Sequence, residues 1–173
     1  MDLYEVMRTR RSVRSYRPDL ISEEKLNIVL EAVRISPSGH NRQPWKFVLV
    51  NDEELKKRLA TACGSGRGFI ADAPVIVVGC GYKIPTNRGG YMGDMGMLVD
   101  VTIAFTQLTL AARAEGLGTC WIGSFENSKV KQILGIPEDV NVVAISPLGY
   151  PKQEFGPPGS RKSMDEITAI DKF

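Results

Sequence analysis

The chain has 173 residues, a formal net charge of +2, and 43% hydrophobic and 24% charged residues. High apolar content with low net charge excludes an intrinsically disordered chain and is typical of a soluble globular protein. The charge balance argues against a dedicated nucleic-acid-binding protein, which is usually basic overall or over one face. The length predicts one domain spanning residues 1–173. The balance conceals a local excess, because residues 1–17 contain five arginines and two carboxylates.

Cysteine usage and hydropathy restrict the class of protein further. Cys63, Cys80 and Cys120 are too few and too scattered to predict a disulfide framework or a zinc site. Cys80 and Cys120 lie in apolar runs and are predicted core residues, whereas Cys63 lies beside a glycine-rich loop, a position that allows exposure. No signal peptide is recognised at the N-terminus, and polar residues interrupt the most apolar stretch, 95–112, so we predict no membrane span. We therefore expect a cytoplasmic protein.

Apolar periodicity, caps and turn residues predict alternating helices and strands. In chain order they predict a short helix before the arginines, a helix from Ser22 to before Pro37, a strand at 46–50, a helix at 52–62, a loop at 64–68, a strand at 74–80, a long loop at 81–93, a helix at 94–115, a strand at 119–122, a helix at 127–134, a strand at 140–148 and an extended arm ending in a short helix. Helix 94–115 is apolar on nearly every side, which is typical of a core or an oligomer interface. The alternation predicts an α/β or α+β sheet protein.

The first candidate site is the basic run at residues 10–14, with the sequence RRSVR. Burying an unpaired guanidinium group is prohibitive, so these arginines face water or meet an anion. The planar fork of arginine suits a phosphate, and Ser12 can add a hydroxyl donor. On this motif alone, a solvated basic face is the favoured interpretation. A nucleic-acid-binding arm is a third interpretation, and it is weakened because no series of stacking aromatic residues accompanies the arginines.

Three other segments are candidate ligand-binding regions. Residues 36–45 are rich in hydrogen-bonding side chains that can address the edge of a heteroaromatic ring, although His40, the only histidine, is expected to be exposed without an acid–base role. Residues 115–124 form a glycine-bordered turn that permits close backbone approach to a flat ligand, without the GxGxxG pattern of dinucleotide-binding folds. Residues 159–162 carry a second basic pair, which is either a phosphate contact or a charged surface tail.

Taken together and in this order, these four segments resemble the FMN-dependent nitroreductase family over nearly the whole chain. The motifs are RRSVR at 10–14, PSGHNRQPW at 37–45, GLGTCWIG at 116–123 and the Arg-Lys pair at 161–162. The resemblance implies an α+β fold with a central, mostly antiparallel sheet flanked by helices. It also implies an intertwined homodimer with FMN at the interface and helix 94–115 as the interface helix.

The resemblance also implies roles for individual residues. The FMN phosphate, ribityl chain and pyrimidine edge are expected to contact Arg10, Arg11, Ser12 and Arg14. The phosphate site is expected to be completed by Arg161 and Lys162. The residues expected to reach the flavin from the other subunit are Pro37, Ser38, Gly39 and Asn41. The residues expected to lie against the ring are Ile122 and Gly123, with the Gly123 N–H near flavin N5.

The activity implied is an NAD(P)H-dependent oxidoreductase, in which NADH or NADPH gives a hydride to flavin N5 and a nitroaromatic, quinone or similar small molecule then accepts it. This ping-pong reaction needs no titrating side chain, and we predict no catalytic residue and no metal. The chain is short for the family, so an open site is expected, with substrate contacts from Tyr82, Arg88 and Tyr91. The alternatives are a flavin-binding protein of this fold with a specialised reaction, and a basic-arm binding protein that is not an enzyme.

Overall fold

A computed structural model describes residues 1–65, 67–83, 92–156 and 159–173. Short helices and strands alternate along the chain, apart from one long helix. The helices are α1 (Leu3–Thr9), α2 (Glu23–Arg34), α3 (Glu53–Ala62), α4 (Phe69–Asp72), α5 (Met92–Ala114), α6 (Asn127–Leu134) and α7 (Met164–Ile167). The strands are β1 (Trp45–Val50), β2 (Val75–Tyr82), β3 (Gly118–Thr119) and β4 (Val140–Gly149).

The four strands form one antiparallel sheet in the order β1-β2-β4-β3. The register pairs Val48 with Val78 and Val78 with Ile145, which places the two longest strands at the centre. The short β3 pairs only through Gly118 and Thr119, so it forms one edge. The α+β fold with a mostly antiparallel sheet, expected from the sequence, is therefore confirmed.

The sheet is covered on both faces, and the alternation of side chains along β2 shows it directly. Ile76 and Val78 face a core shared with α3, α4 and α6. Val75 and Val77 face a second core, formed with α2 and α5. Because both faces of β2 are apolar, this strand has a continuous hydrophobic sequence rather than an alternating one.

The long helix α5 has one side packed in the second core and another side that the described part of the chain leaves uncovered. Ala104 and Leu108 are fully buried, whereas Leu98 and Val99 remain exposed. By length and composition the segment Met95–Ala114 is apolar enough to cross a membrane, and 39% of its most apolar window is buried against the rest of the chain. Packing against α2 and the sheet identifies it as a core helix with one uncovered apolar side.

Most predicted elements are confirmed to within one to three residues at their ends. The clearest errors concern short features: α4 was not predicted, and the loop predicted at 81–93 is wrong at both ends, since Gly81 and Tyr82 belong to β2 and α5 begins at Met92. The strand predicted at 119–122 is shorter, although Ile122 still pairs with Ile145 through an isolated bridge. Cys63, for which the sequence allowed exposure, is buried in the core beneath α3.

Candidate functional site

The basic segment after α1 lies along β3, which explains where its side chains go. Ser12 bridges Thr119 in parallel orientation, and the backbone N–H of Val13 donates to the Thr119 carbonyl at 2.8 Å. The approach is very close, since a Cβ at Gly118 would lie 2.6 Å from Val13 Cγ2. Only glycine permits this contact without displacement. The segment is therefore fixed against the sheet edge, and Arg14 follows directly at an exposed position.

Arg14 borders a cleft of about 400 Å³, which we call the central cleft. The cleft is formed where the end of β3 meets the loop between α3 and α4. It is lined by Arg14, Ser65, Arg67, Phe69, Cys120, Trp121, Ile122, Gly123 and Ser124. The structure thus brings together three residues that the sequence assigned to the cofactor, Arg14, Ile122 and Gly123.

The central cleft is lined by two arginines, Arg14 and Arg67, and by no carboxylate among its described lining residues. Burial raises the pKa of the Cys120 thiol, and this rise is opposed by Arg14, by a hydrogen bond with Ser12, and by Arg67 and Arg10. Of these three arginines, Arg14 and Arg67 also line the central cleft, so two guanidinium groups border the same small region. An anion bound there would be stabilised by Arg14 and Arg67.

Three residues of the central cleft lie outside all four candidate segments of the sequence: Ser65, Arg67 and Phe69. They come from the loop that was predicted only as flexible and from the unpredicted helix α4. Arg67 donates a hydrogen bond to the Ser124 carbonyl at 2.6 Å, which fastens this loop to the segment after β3. The one signal in the sequence was the position of Arg67 among the glycines of a short loop.

Trp121 also had no role assigned from the sequence, and it is 40% exposed although its neighbours in sequence are buried. Its ring meets Phe105 of α5 edge-on, with centroids 4.6 Å apart, and Phe105 in turn contacts Phe47. The indole also lies beside Gly123, since a Cβ added there would be 3.5 Å from Nε1. The packed aromatic neighbours orient the indole, leaving an apolar aromatic surface at the cleft.

A second cleft, of about 270 Å³, lies on the other side of the N-terminal segment and is called the arm cleft. Residues 11–15 form one wall, and the other is formed by Pro151 and residues 153–156 of the C-terminal arm, which include the carboxylate of Glu154. The arm is fastened by Arg113 of α5, whose guanidinium group lies 3.9 Å from the Phe155 ring centroid. Arg14 lines both clefts, so an extended ligand could contact both with this side chain between them.

The loop between α2 and β1 packs against α5 and does not line the central cleft or the arm cleft. Ser36 Oγ contacts Gln107 Oε1 at 2.7 Å, and the Gly39 N–H donates to Asp100 Oδ1 at 3.0 Å. Three non-glycine residues, His40, Asn41 and Gln43, have positive φ angles, a conformation that costs energy and persists only where surroundings impose it. Four residues predicted to contact the flavin do not line the central cleft of their own chain: Pro37, Ser38, Gly39 and Asn41.

The remaining predicted site residues are placed as follows. Arg161 donates to the carbonyls of Gly159 and Ser160, and both Arg161 and Lys162 are exposed. That these two residues bind the same phosphate as Arg10 and Arg11 stays a prediction. Arg10 and Arg11 are half-buried, and Arg11 lines the arm cleft. Tyr82 is the exposed last residue of β2. Arg88 and Tyr91 lie outside the described residues.

The sequence matches the model of the nitroreductase family over residues 7–66 and 64–150. The chain belongs to the nitroreductase family. Its match covers the basic segment, the α2–β1 loop, the central cleft and the whole sheet. The family predicted from the four motifs is thereby confirmed.

Individual relatives agree with this nitroreductase assignment. A protein of Archaeoglobus fulgidus named "Putative NADH dehydrogenase/NAD(P)H nitroreductase" is 35% identical over 84% of this chain and 83% of its own length. "FMN reductase [NAD(P)H]" of Bacillus subtilis is 30% identical over 82% of this chain and 62% of its own length. The crystal structure of a nitroreductase family protein from Clostridium novyi NT is similar with a TM-score of 0.80, 33% identity and coverage of 88% and 86% of the two chains.

Proposed function

We propose that this nitroreductase-family chain is an FMN-dependent oxidoreductase that passes a hydride from NADH or NADPH, through flavin N5, to a nitroaromatic, quinone or similar acceptor by a ping-pong mechanism. The observation that carries the proposal is that Arg14 and Arg67 line the central cleft together with the Ile122–Gly123 backbone. The names of the relatives, which include NAD(P)H nitroreductase and FMN reductase, point to the same class of reaction.

The residues present fit FMN on three counts. The cofactor carries a phosphate, and the arm cleft supplies Arg11, Ser12 and Arg14 against one carboxylate, that of Glu154. Its ring system is flat and aromatic, and the central cleft presents the Trp121 indole and a glycine at position 123. The two clefts adjoin at Arg14, which suits a ligand with an anionic tail and a planar head. When bound, FMN supplies the hydride chemistry that no side chain of the chain can perform.

The chain's own residues then bind, orient and balance charge. Arg14 and Arg67 stabilise negative charge at the base of the central cleft, where Cys120 is kept as a neutral thiol by burial. The Gly123 N–H and the Ile122 side chain are proposed to face the ring, and Arg10, Arg11, Ser12, Arg161 and Lys162 to hold the phosphate. No side chain is assigned as a general acid or base.

We further propose a homodimer in which the α2–β1 loop completes the partner's site. Large apolar side chains are exposed on α1, α2 and α5, an arrangement that favours burial against another protein surface. They include Leu3, Tyr4, Met7, Ile28, Ile35, Met95, Leu98 and Val99. The strained α2–β1 loop is fastened to α5 by Asp100, so α5 would carry it to the partner. Light scattering coupled to gel filtration is expected to give the mass of two chains.

Under the same proposal we expect a cytoplasmic protein that uses a small-molecule acceptor and binds neither nucleic acid nor a membrane. The uncovered side of α5 is then an interface between subunits. Salt-sensitive binding to DNA by a preparation without flavin would contradict this and favour a basic-arm binding protein.

Two half-reactions tested separately examine the ping-pong proposal. The FMN-loaded protein is reduced anaerobically with NADH or NADPH, freed of nucleotide by gel filtration, and then mixed with a quinone or a nitroaromatic. We expect the flavin absorbance to bleach in the first step and to return in the second without any nucleotide present. Flavin that is retained but inert towards both nucleotides would contradict the proposal and favour a specialised reaction on the same fold.

A further inference from the structure

A third cleft, of about 510 Å³, opens between α3 and α4 and is not used by the cofactor as proposed; we call it the outer cleft. It is lined by Lys57, Ala60, Thr61, Gly64, Ser65, Arg67, Gly68 and Ala71. Ser65 and Arg67 also line the central cleft, so the two clefts are neighbours across one stretch of loop. A ligand whose reacting end lies in the central cleft can therefore extend into the outer one.

The outer cleft offers positive charge and no carboxylate among its described lining residues. Arg67 stands at the boundary with the central cleft, and Lys57 contributes a second cation from α3. Lys57 Nζ pairs with Glu54 Oε1 at 2.7 Å, but both side chains are more than 60% exposed. Such exposed pairs contribute little, so Lys57 can exchange the carboxylate for a phosphate at small cost.

The size and the walls of the outer cleft suit one half of a nucleotide. Its volume lies within the range of roughly 300–1,000 Å³ typical of small-molecule sites. Ala60 and Ala71 provide small apolar surface, and Ser65 and Thr61 provide hydroxyl groups. At Gly68 there is open space, because a Cβ built there meets no atom within 4 Å.

We propose that the outer cleft binds the adenosine diphosphate-ribose half of the nicotinamide donor, with Lys57 and Arg67 at the pyrophosphate. This inference rests on the proposed function, in which the nicotinamide enters the central cleft. The rest of the donor carries two phosphates and must leave by an adjoining surface. Of the clefts described above, the arm cleft is assigned to the FMN phosphate, and the outer cleft is the other one that adjoins the central cleft with cationic side chains. The site would select dinucleotide donors over the mononucleotide.

The test measures binding of free ADP-ribose to the FMN-loaded protein by calorimetry. Lys57→Gln removes one pyrophosphate contact and is expected to weaken the Kd about fivefold, as for one exposed charge pair. Gly68→Leu fills the cleft from a position whose φ of −53° and ψ of −32° suit any residue, and is expected to abolish binding. Arg58→Gln is the matched control, since Arg58 is an exposed neighbour on α3 that does not line the cleft.

A kinetic readout separates the subsite from the reaction. Lys57→Gln is expected to raise KM for NADH about fivefold and to leave KM for reduced nicotinamide mononucleotide unchanged. The inference is overturned if ADP-ribose does not bind, or if Lys57→Gln and Gly68→Leu bind it as well as Arg58→Gln does. If ADP-ribose binds as expected but no donor reduces the flavin, the subsite stands and the proposed function fails. If donors reduce the flavin while the variants leave ADP-ribose binding and KM unchanged, the proposed function stands and the subsite fails.

Discussion

Replacing Arg14 by alanine is the most informative single perturbation, because this residue lines both clefts that we assign to FMN. It is also the foremost cation acting on Cys120, where it opposes the rise in thiol pKa caused by burial. The side chain is exposed, so its removal creates no core cavity. The variant should therefore fold and should differ mainly in how strongly the clefts attract an anion.

The magnitude follows from the kind of contact that is lost. A hydrogen bond to a charged group contributes about 1.5–3 kcal/mol. Because Arg14 is exposed, solvent competes for it, and we expect the lower part of that range, about 1.5–2 kcal/mol, or about 10–30-fold in the Kd for FMN. The assay is titration of the apoprotein with FMN, followed by quenching of flavin fluorescence. Arg14→Lys keeps the charge without the fork and should lose less.

Arg17→Ala is the matched control for this experiment. Arg17 lies three residues further along the same segment, but it pairs with Asp19 at 2.9 Å and lies over the Tyr150 ring. We expect its removal to change FMN affinity by no more than about twofold. In the apoprotein, Arg14→Ala should also raise the pKa of Cys120 further, measured from the ultraviolet absorbance of the thiolate. Equal FMN affinity in Arg14→Ala and the parent protein would refute the assignment of both clefts.

Three other predictions concern packing, pH and the cleft itself. Gly118→Ala would bring a Cβ within 2.6 Å of Val13 and should cost about 1–3 kcal/mol of unfolding free energy in urea titrations, together with weaker FMN binding; an unchanged midpoint would contradict the close contact. Burial raises the pKa of Cys63 and of Cys80 from 9.0 to about 11, so the stability they contribute is complete below pH 9 and is lost as the pH rises towards 11. Urea midpoints that stay level across this interval would show that the thiols are not buried. FMN binding should quench the fluorescence of Trp121, and Trp121→Phe should remove most of the quenching; quenching that survives intact would place the indole away from the cofactor.

The helices could be predicted because their end signals are local. Ser22 accepts a hydrogen bond from the Lys25 N–H, as its position before two glutamates indicated, and Gly135 ends α6 with a φ of +64°. Helix α4 gave no such signal, since its four residues, Phe69–Asp72, are too few to show a period. Its existence depends on Ile70, which is fully buried in the core beneath α3. Burial of this kind is decided by the whole fold.

The residues of the candidate site also fall into two groups, those that a local motif indicated and those that only the fold brings to the cleft. Arg14, Ile122 and Gly123 belong to motifs that are compact in sequence, and the structure brings them to one cleft. Arg67 and Phe69 were missed because they reach that cleft only through the packing of the α3–α4 loop against the segment after β3. The hydrogen bond between Arg67 and Ser124 joins residues 57 positions apart. No local pattern encodes such a separation, and only the glycines around Arg67 marked the loop as unusual.

We propose that the clefts meeting at Arg14 bind FMN and present it to a nicotinamide donor. The most direct measurement is the visible spectrum of the purified protein after incubation with FMN and removal of the free cofactor, followed by anaerobic addition of NADH or NADPH. We expect a yellow protein whose flavin band elutes with the polypeptide and bleaches on addition of nucleotide. A colourless protein that retains no added FMN would contradict it.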